Sequence, residues 1–199
     1  MTRLTSELIR AAYGEGAFPM GEDDGTIEFY VSRVRAVFPI EGVRVSRSLA
    51  KTIRKGTFEV RFDTAFEAVM RACRRPKDNW INEEIIRAYT QVHREGWGHS
   101  AECWREGELV GGVYGLAVGT CFCAESMFHF ETDASKVALW ALVDKCRELG
   151  FTLFDAQIMN PHLASLGAYE MGIREYLAKF REGLKNPTEW SAPRDFRFP

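Results

Sequence analysis

Apolar side chains recur at helical spacing in six segments of the 199-residue chain. Ser46 and Asp133 stand where N-caps are needed, and Gly56, Gly96 and Gly150 stand at or just beyond the predicted helix ends. The predicted helices cover residues 5–16, 46–56, 65–75, 83–95, 133–149 and 173–180.

Between these helices, apolar and polar residues alternate with the period of two that is typical of strands. The predicted strands cover residues 57–63, 99–104, 109–118, 120–128 and 151–160. Residues 17–25 are predicted to form an acidic, turn-rich loop, and residues 27–40 a coil or edge strand. Strands in direct succession, a helix, a further strand and a last helix predict an α+β domain with a mixed sheet flanked by helices.

The segment FDAQIMN, which starts at Phe154, carries two polar side chains inside a predicted strand. Alternation places Asp155 and Gln157 on one face and the apolar residues around them on the other. Asp is depleted in strands, and burying an unpartnered carboxylate costs several kcal/mol or shifts its pKa. We therefore interpret Asp155 and Gln157 as a candidate functional pair.

The composition is that of an ordinary globular protein, with 46% hydrophobic and 27% charged residues. A formal net charge of -2 gives no general attraction to nucleic acid, so a polynucleotide would have to bind a local basic patch. The apolar runs are far shorter than the roughly 20 residues of a membrane span, and the N-terminus lacks the apolar core of a signal peptide. We expect a monomeric, cytoplasmic protein that does not contact a membrane.

The five cysteines show no disulfide framework, which agrees with reduced thiols in a cytosol. Cys121 and Cys123 share one face of a predicted strand, either as two packed thiols or as half of a zinc site. Because no second close pair of Cys or His ligands is present, we expect no metal site.

The helix that begins after Ser46 has a basic face. At about 100° per residue, four cations fall within roughly a quarter turn, and Leu49 and Ile53 lie opposite them. These cations are Arg47, Lys51, Arg54 and Lys55, and Arg44 precedes the cap. Such a stripe is either a solvated helix face or a surface that follows a phosphate backbone.

Glu125 lies in the predicted strand TCFCAESMF. Strict alternation places it on an apolar face with Cys121, Cys123 and Met127, where desolvation would raise its pKa and favour a functional acid. The alternative is a bulge that turns Glu125 to solvent.

Several aromatic and apolar side chains are either ordinary core or the lining of an apolar ligand pocket. They are Tyr13, Trp80, Tyr89, Val113, Phe122 and Met127. Phe122 and Met127 are an odd number of positions apart, so both can line one pocket only if the strand bulges or a wall curves around it. In the preceding strand, Gly111, Gly112 and Gly115 indicate close approach of a ligand or of another backbone.

Five longer motifs carry a family resemblance: WINEEIIRAY, GHSAECWREGELVGGVYGLAVGTCFCAESMF, ASKVAL, FDAQIMNPHLASLGA and VSRSLAKTIRKG. Together they resemble the leucyl/phenylalanyl-tRNA-protein transferases, bacterial enzymes of the N-degron pathway, over about Leu4 to Tyr176. The resemblance implies transfer of leucine, phenylalanine or, less well, methionine from charged tRNA to the α-amine of a protein that begins with Arg or Lys. It also implies an N-acetyltransferase-like (GNAT) fold with a small N-terminal extension, and no cofactor.

The resemblance also implies roles for individual residues. The catalytic residues would be Asp155, Gln157 and Glu125. The amino acid pocket would take in Trp80, Val113, Phe122, Met127 and Ala156, Tyr13 and Tyr89 would lie near the terminal adenosine, and Arg44, Arg47, Lys51, Arg54 and Lys55 would hold the acceptor stem. On this hypothesis Asp155 accepts a hydrogen bond from the side-chain amide of Gln157, whose carbonyl oxygen meets the attacking amine.

Some positions depart from the longer members of that family. Met20 follows Pro19 where they have Trp, and FYVSRVR replaces a Trp-rich run. Val113 and Ala156 stand where Met and Cys are common, which predicts a wider pocket and a preference for bulkier side chains. The alternative functions are an acetyl-CoA-dependent N-acetyltransferase and a non-catalytic tRNA or N-degron binding module.

We expect three regions along the chain. Residues 1–62 form a small N-terminal region with the basic helix, residues 63–185 the catalytic domain, and residues 186–199 a tail.

Overall fold

The computed structural model of the protein describes residues 3–22, 24–77, 79–186 and 188–190. The helices are α1 (Ser6–Gly14), α2 (Arg47–Arg54), α3 (Phe66–Ala72), α4 (Glu83–Arg94), α5 (Ala134–Glu148), α6 (Pro161–Ser165) and α7 (Ile173–Leu184). The strands are β1 (Ala17–Gly21), β2 (Ile27–Val31), β3 (Val34–Phe38), β4 (Glu59–Phe62), β5 (Gly98–Arg105), β6 (Glu108–Val118), β7 (Cys121–His129), β8 (Leu153–Asp155) and β9 (Tyr169–Gly172). Most of the predicted tail lies outside the described residues.

A seven-stranded sheet, in the order β4-β5-β6-β7-β8-β3-β9, organises these elements. Strands β5, β6 and β7 form the predicted antiparallel meander, whereas β7 and β8 run parallel. A parallel pair needs a long crossover, and α5 provides it. The predicted α+β class with a mixed sheet and flanking helices is therefore confirmed.

The core lies on both faces of this sheet. In β7, Cys121 and Cys123 belong to one hydrophobic cluster, and Phe122 between them belongs to the other. The first cluster also contains buried residues of α1, α3, α4 and α7, and the second contains those of α2 and α5. Within the described part of the chain, no helix is long and apolar enough to cross a membrane.

The segment between α1 and α2 differs from its prediction. Residues 17–21, predicted as loop, form β1, which pairs with β2 in a separate two-stranded sheet. The prediction of a coil or edge strand over 27–40 is also wrong for β3, which lies inside the large sheet between β8 and β9. Burial explains this position, because Ala36 and Val37 are both fully buried and so both faces of β3 are covered.

Two glycines of β6 permit close packing, as the sequence predicted. A Cβ atom on Gly111 would lie 2.5 Å from the Cβ atom of Ala134, at the start of α5. A Cβ atom on Gly115 would lie 2.3 Å from the backbone oxygen of Cys123. In both cases the neighbour belongs to the chain itself, so the glycines are explained by packing.

Candidate active site

A β-bulge in β7 places Glu125. Ala124 pairs with Gly115 of β6 and Ser126 pairs with Tyr114, so Glu125 between them has no partner in the register. A bulge is present, as the alternative prediction required, but its prediction that Glu125 turns to solvent is wrong, because Oε1 accepts a hydrogen bond from Tyr13 and Oε2 is buried. A bulge re-aims one side chain without interrupting the strand.

The same bulge changes the alternation in the rest of β7. Met127 pairs with Val113 of β6, and both lie on the face of the sheet to which Phe122 and Ala124 belong. Strict alternation would place Phe122 and Met127 on opposite faces, and the bulge brings them to the same face.

The carboxyl group of Glu125 contacts two buried tyrosines. The Tyr13 hydroxyl donates a hydrogen bond to Oε1 of Glu125, and the hydroxyl oxygens of Tyr13 and Tyr89 are 3.2 Å apart. Oε2 of Glu125 is buried and has no hydrogen-bond partner among the described residues. Burial raises the pKa of Glu125 to about 7, against smaller lowering effects of the Tyr13 hydroxyl and the Gln157 amide. Near neutral pH, this carboxyl group can therefore both accept and release a proton.

Asp155, at the end of β8, is fully buried and fully engaged. Its Oδ1 accepts hydrogen bonds from Nε of Arg35 at 3.2 Å and from the backbone N–H of Gln157 at 2.9 Å. Its Oδ2 accepts from Nη2 of Arg35 and from the Tyr176 hydroxyl, the latter at 3.0 Å. With this set of donors, Asp155 serves as a structural anchor of the site.

The predicted hydrogen bond from the side-chain amide of Gln157 to Asp155 is not formed. Strand β8 ends at Asp155, so the predicted strand over 151–160 is too long, and Gln157 has a left-handed backbone with φ of 62°. Asp155 binds the backbone N–H of Gln157, and the side-chain Nε2 donates instead to the backbone oxygen of Ala124 at 3.4 Å. The turn after β8 therefore directs the Gln157 side chain towards the bulge that carries Glu125.

A cavity of about 500 Å³ opens beside the bulge. Four residues singled out in the sequence line it, namely Val113, Glu125, Met127 and Ala156. Phe38, Leu139 and Leu163 complete its apolar wall, and polar groups come from Arg75, Ser126, His129, Ser135, Asn160 and His162. An apolar space with a few polar groups is the usual form of a small-ligand site.

Other predicted pocket residues do not line the cavity. Phe122 is fully buried and stacks on Phe154, with ring centroids 5.2 Å apart. Tyr13 and Tyr89 are also buried in the core, where their hydroxyls face Glu125. Trp80 is partly buried, and its backbone oxygen accepts a hydrogen bond from Gly21 of β1 at 2.9 Å. None of these four residues lines the cavity, and Trp80 packs on the hydrophobic cluster of the opposite sheet face.

The basic face of α2 is exposed. The apolar residues Leu49 and Ile53 are buried, and the side chains of Arg44, Arg47, Lys51, Arg54 and Lys55 lie on the surface. Within the described ranges, none of these five cations takes part in a salt bridge. The patch is close to the cavity, since the backbone N–H of Arg44 donates to Leu166 at 2.7 Å, next to the α6 residues of the cavity rim.

The cysteines and the acidic residues do not assemble a metal site in the described part of the chain. No group of three or more His, Cys, Asp or Glu side chains is placed to hold an ion there. All five cysteines are free and buried, and burial raises the pKa of the Cys73 and Cys103 thiols to about 12. They are packed thiols of the core.

Sequence comparison finds one family over most of the chain. The family model described as leucyl/phenylalanyl-tRNA protein transferase matches residues 37–181. A leucyl/phenylalanyl-tRNA-protein transferase of Rubrobacter xylanophilus is 47% identical over 184 residues, which are 92% of this chain and 96% of the relative. That of Chlorobaculum parvum is 49% identical over 183 residues, covering 89% and 94%. That of Gloeobacter violaceus is 44% identical over 191 residues, covering 96% and 99%.

Proposed function

The chain belongs to the leucyl/phenylalanyl-tRNA protein transferase family, and from this premise we propose its reaction. It transfers leucine or phenylalanine, and methionine less well, from aminoacyl-tRNA to the α-amine of proteins that begin with Arg or Lys. This reaction marks such proteins for degradation in the N-degron pathway.

One observation carries the proposal at the level of the site. An apolar cavity, large enough for a leucine or phenylalanine side chain, is lined by the half-buried Glu125, whose buried Oε2 has no hydrogen-bond partner among the described residues. An unsatisfied buried carboxylate oxygen is costly and calls for a donor. The ammonium or amine group of a substrate is such a donor, so amino acid binding and amine recognition meet at one place.

The chemistry requires few groups. The acceptor α-amine attacks the ester carbonyl carbon, a C–N bond forms, the C–O bond to ribose breaks, and the ribose oxygen leaves as a hydroxyl. The proton lost by the amine matches the one gained by that oxygen. Since an ester is already activated, holding both substrates in line provides much of the acceleration.

We assign the roles of the catalytic residues as follows. Nε2 of Gln157 is held by the Ala124 carbonyl, which leaves Oε1 of this amide as the acceptor for the incoming amine. Asp155 anchors the turn that presents Gln157. Glu125, with its pKa raised to about 7, binds the amine or its proton, and Tyr13 and Tyr89 fix the carboxyl group of Glu125.

The remaining parts of the substrates bind around this centre. Val113, Met127 and Ala156 contact the amino acid side chain. The five cations of and before α2 bind the phosphates of the acceptor stem, which agrees with their exposure and lack of ion pairs in the described chain. Phe122 supports the pocket from behind, in the same hydrophobic cluster as Val113, Met127 and Ala156.

The proposal also covers the fold of the catalytic domain, the location in the cell and the oligomeric state. The antiparallel meander, followed by α5 and the parallel strand β8, supports an N-acetyltransferase-like catalytic domain over residues 63–185, preceded by the N-terminal region 1–62. Charged tRNA is a cytoplasmic substrate, which supports a cytoplasmic location. An active monomer is part of the same proposal.

A transfer assay tests the proposal directly. Purified protein is incubated with radiolabelled Phe-tRNA and either of two peptides that differ only in an N-terminal Arg or Ala. We expect label in the Arg peptide alone, and loss of that label with Gln157→Ala. Label in neither peptide, or stabilisation of the protein by acetyl-CoA and not by an aminoacyl-adenosine analogue, would refute the assignment.

A further inference from the structure

A fully buried arginine lies directly behind the candidate site. Arg35 of β3 has no exposed surface, and its guanidinium carbon lies 5.0 Å from the ring centroid of Phe18 and 4.7 Å from that of Tyr176. Arginine is almost never buried in this way unless its charge is paired, because desolvation costs several kcal/mol. The aromatic rings on its two sides and a paired carboxylate offset that cost.

The guanidinium of Arg35 engages Asp155 through two nitrogens. Nε donates to Oδ1 at 3.2 Å and Nη2 donates to Oδ2, while Nη1 donates to the backbone oxygen of Gly16 at 3.3 Å. A forked contact of this type fixes both the distance and the plane of the carboxylate, which a single-point ammonium contact does not. Arg35 contacts both oxygens of Asp155 and, with the Tyr176 hydroxyl on Oδ2, fixes the orientation of this carboxylate.

The orientation of Asp155 in turn determines the backbone of Gln157. Oδ1, the oxygen held by Nε of Arg35, accepts the backbone N–H of Gln157 at 2.9 Å, and the φ angle of Gln157 is 62°. A left-handed backbone is uncommon outside glycine and persists where surrounding contacts stabilise it. Ala36, the neighbour of Arg35, holds the other side of the turn, because its N–H donates to Gln157 at 2.9 Å and its oxygen accepts from Ala156 at 2.8 Å.

From this chain of contacts we propose that Arg35 is a positioning residue for the transfer reaction. Through Asp155 it holds Gln157 in the left-handed conformation that directs the Gln157 side chain at the bulge with Glu125. The inference rests on the proposed function. It adds to the site a residue that touches no substrate and that lies 120 positions before its partner in the sequence.

The test compares Arg35→Met, Arg35→Lys and the matched control Phe18→Leu. Met has a side chain of similar length to the aliphatic part of Arg35 but makes no hydrogen bonds to Asp155. Lys keeps the positive charge but cannot make the forked contact with both carboxylate oxygens. Phe18→Leu weakens packing on Arg35 and keeps every hydrogen bond of Asp155. For each variant, kcat and KM for Phe-tRNA are measured with an Arg peptide, together with Tm. Hydrogen exchange of the Gln157 amide gives a readout that does not depend on activity.

We expect Arg35→Met to lower kcat by about 10- to 100-fold, the range typical of residues that orient a metal ligand through a hydrogen bond, with KM for Phe-tRNA changed less than about three-fold. Arg35→Lys should recover part of kcat, and the Gln157 amide should exchange faster in both variants. Phe18→Leu should lower Tm but leave kcat unchanged. The Gln157 amide of this variant should exchange as slowly as in the wild-type protein. If Arg35→Met fails to fold, Arg35→Lys alone decides between these results.

Two results would overturn the inference. The first is a loss of kcat that is proportional to the loss of Tm in all three variants. The second is an exchange rate of the Gln157 amide that does not change when Arg35 is replaced. Failure of the proposed function is a separate result, since it would appear as absent transfer in the wild-type protein. In that case the exchange measurement still decides whether Arg35 holds the turn.

Discussion

The hydroxyl of Tyr13, near the end of α1, donates a hydrogen bond to the carboxyl group of Glu125 on the bulge of β7, 112 positions later in the sequence. A carboxylate that accepts a hydrogen bond has a lower pKa than one that does not, and this bond lowers the pKa of Glu125 against the larger effect of burial. The N-terminal helix therefore adjusts the protonation of a residue on the central sheet.

Replacing Tyr13 by Phe removes that donor and little volume. We expect the pKa of Glu125 to rise from about 7 by roughly one unit, because a hydrogen bond to a charged group is worth about 1.5–3 kcal/mol in part offset by water. Carbon-13 NMR titration of the Glu125 carboxyl group measures the change. Tyr89→Phe is the control, since the Tyr89 hydroxyl bonds to that of Tyr13, and it should give a smaller shift. Equal shifts in both variants would contradict the direct role of Tyr13.

The raised pKa of Glu125 also makes the stability of the fold depend on pH. The carboxyl group has a pKa of about 7 in the folded protein against 4.5 as its ordinary value, so the folded state binds this proton more tightly than the unfolded state does. Below a pH of about 4.5, Glu125 makes its full stabilising contribution to the free energy of unfolding. This contribution is lost as the pH rises through about 7, where the folded protein must hold a buried charge.

Glu125→Gln should remove this dependence. We expect the variant to gain roughly 3 kcal/mol in the free energy of unfolding relative to wild type at pH 8, and nothing at pH 4. Urea unfolding at a series of pH values measures the difference. Glu84→Gln is a suitable comparison, because the pKa of Glu84 is lowered by Arg87 and its replacement should instead destabilise the protein at pH 8. A constant difference between Glu125→Gln and wild type at all pH values would show that the carboxyl group does not titrate as stated.

Much of the fold follows from the strongest sequence patterns. The alternation in β5, β6 and β7 predicts these strands, and Gly150 predicts the end of α5, to within about two residues. Asp133 precedes α5 as predicted, but its side chain makes no cap hydrogen bond. The segment of β1 and β3 is less regular. Strand β1 contains Pro19 and Gly21, which indicate a turn, and β3 depends on partners that are remote in the sequence, namely β8 and β9. Local pattern carries no information on such pairing, which explains why this part of the prediction is wrong.

Arg35 is a residue of the candidate site that the sequence analysis did not identify. It lies among apolar residues in VRAVF, and a single cation in an apolar strand indicates a buried partner of opposite charge. Asp155 is the corresponding anion in FDAQ, so a joint interpretation of the two segments would have suggested their ion pair. The positive φ of Gln157 and the bulge at Glu125 could not be predicted in this way, because both depend on the register of strands that meet only in the folded sheet.

The width of the cavity gives a prediction about amino acid preference. Val113 and Ala156 line the cavity at positions where the sequence predicted more space than Met and Cys would leave. Val113→Met should fill part of the 500 Å³ and shift the preference from phenylalanine towards leucine by about 10-fold, the effect of one or two methylene groups in an apolar pocket. Competition between Phe-tRNA and Leu-tRNA in one reaction measures the ratio.

Val118→Met is the matched control for that experiment. Val118 lies in the same strand and is similarly buried, but it belongs to the hydrophobic cluster on the opposite face of the sheet. Overpacking costs about 1–3 kcal/mol in the packed core around Val118, whereas the cavity beside Val113 has room for the longer side chain, so Val118→Met should lose more stability. Only Val113→Met should change the ratio of products, and an equal change with Val118→Met would assign the effect to general destabilisation.

The exposed cations of α2 predict how aminoacyl-tRNA binding depends on salt. A protein that contacts phosphates releases counterions, and each lost contact reduces the slope of log affinity against log salt by about 0.9. Lys51→Ala with Arg54→Ala should therefore weaken binding of Phe-tRNA and reduce that slope by about 2, because both side chains are exposed and without salt bridges in the described chain. Fluorescence binding titrations between about 50 and 200 mM salt measure the slope.

The control for the basic face of α2 lies on the opposite side of the sheet. Lys179 and Arg181 are exposed on α7, whose buried residues pack on the other hydrophobic cluster. Replacing both by Ala removes the same charge and should leave the salt slope unchanged. The α2 variant should also keep normal transfer from a short aminoacyl-adenosine donor, because that donor lacks the acceptor stem while the cavity and Gln157 remain intact. An equal loss with both donors would place the α2 cations at the reacting groups and not along the tRNA.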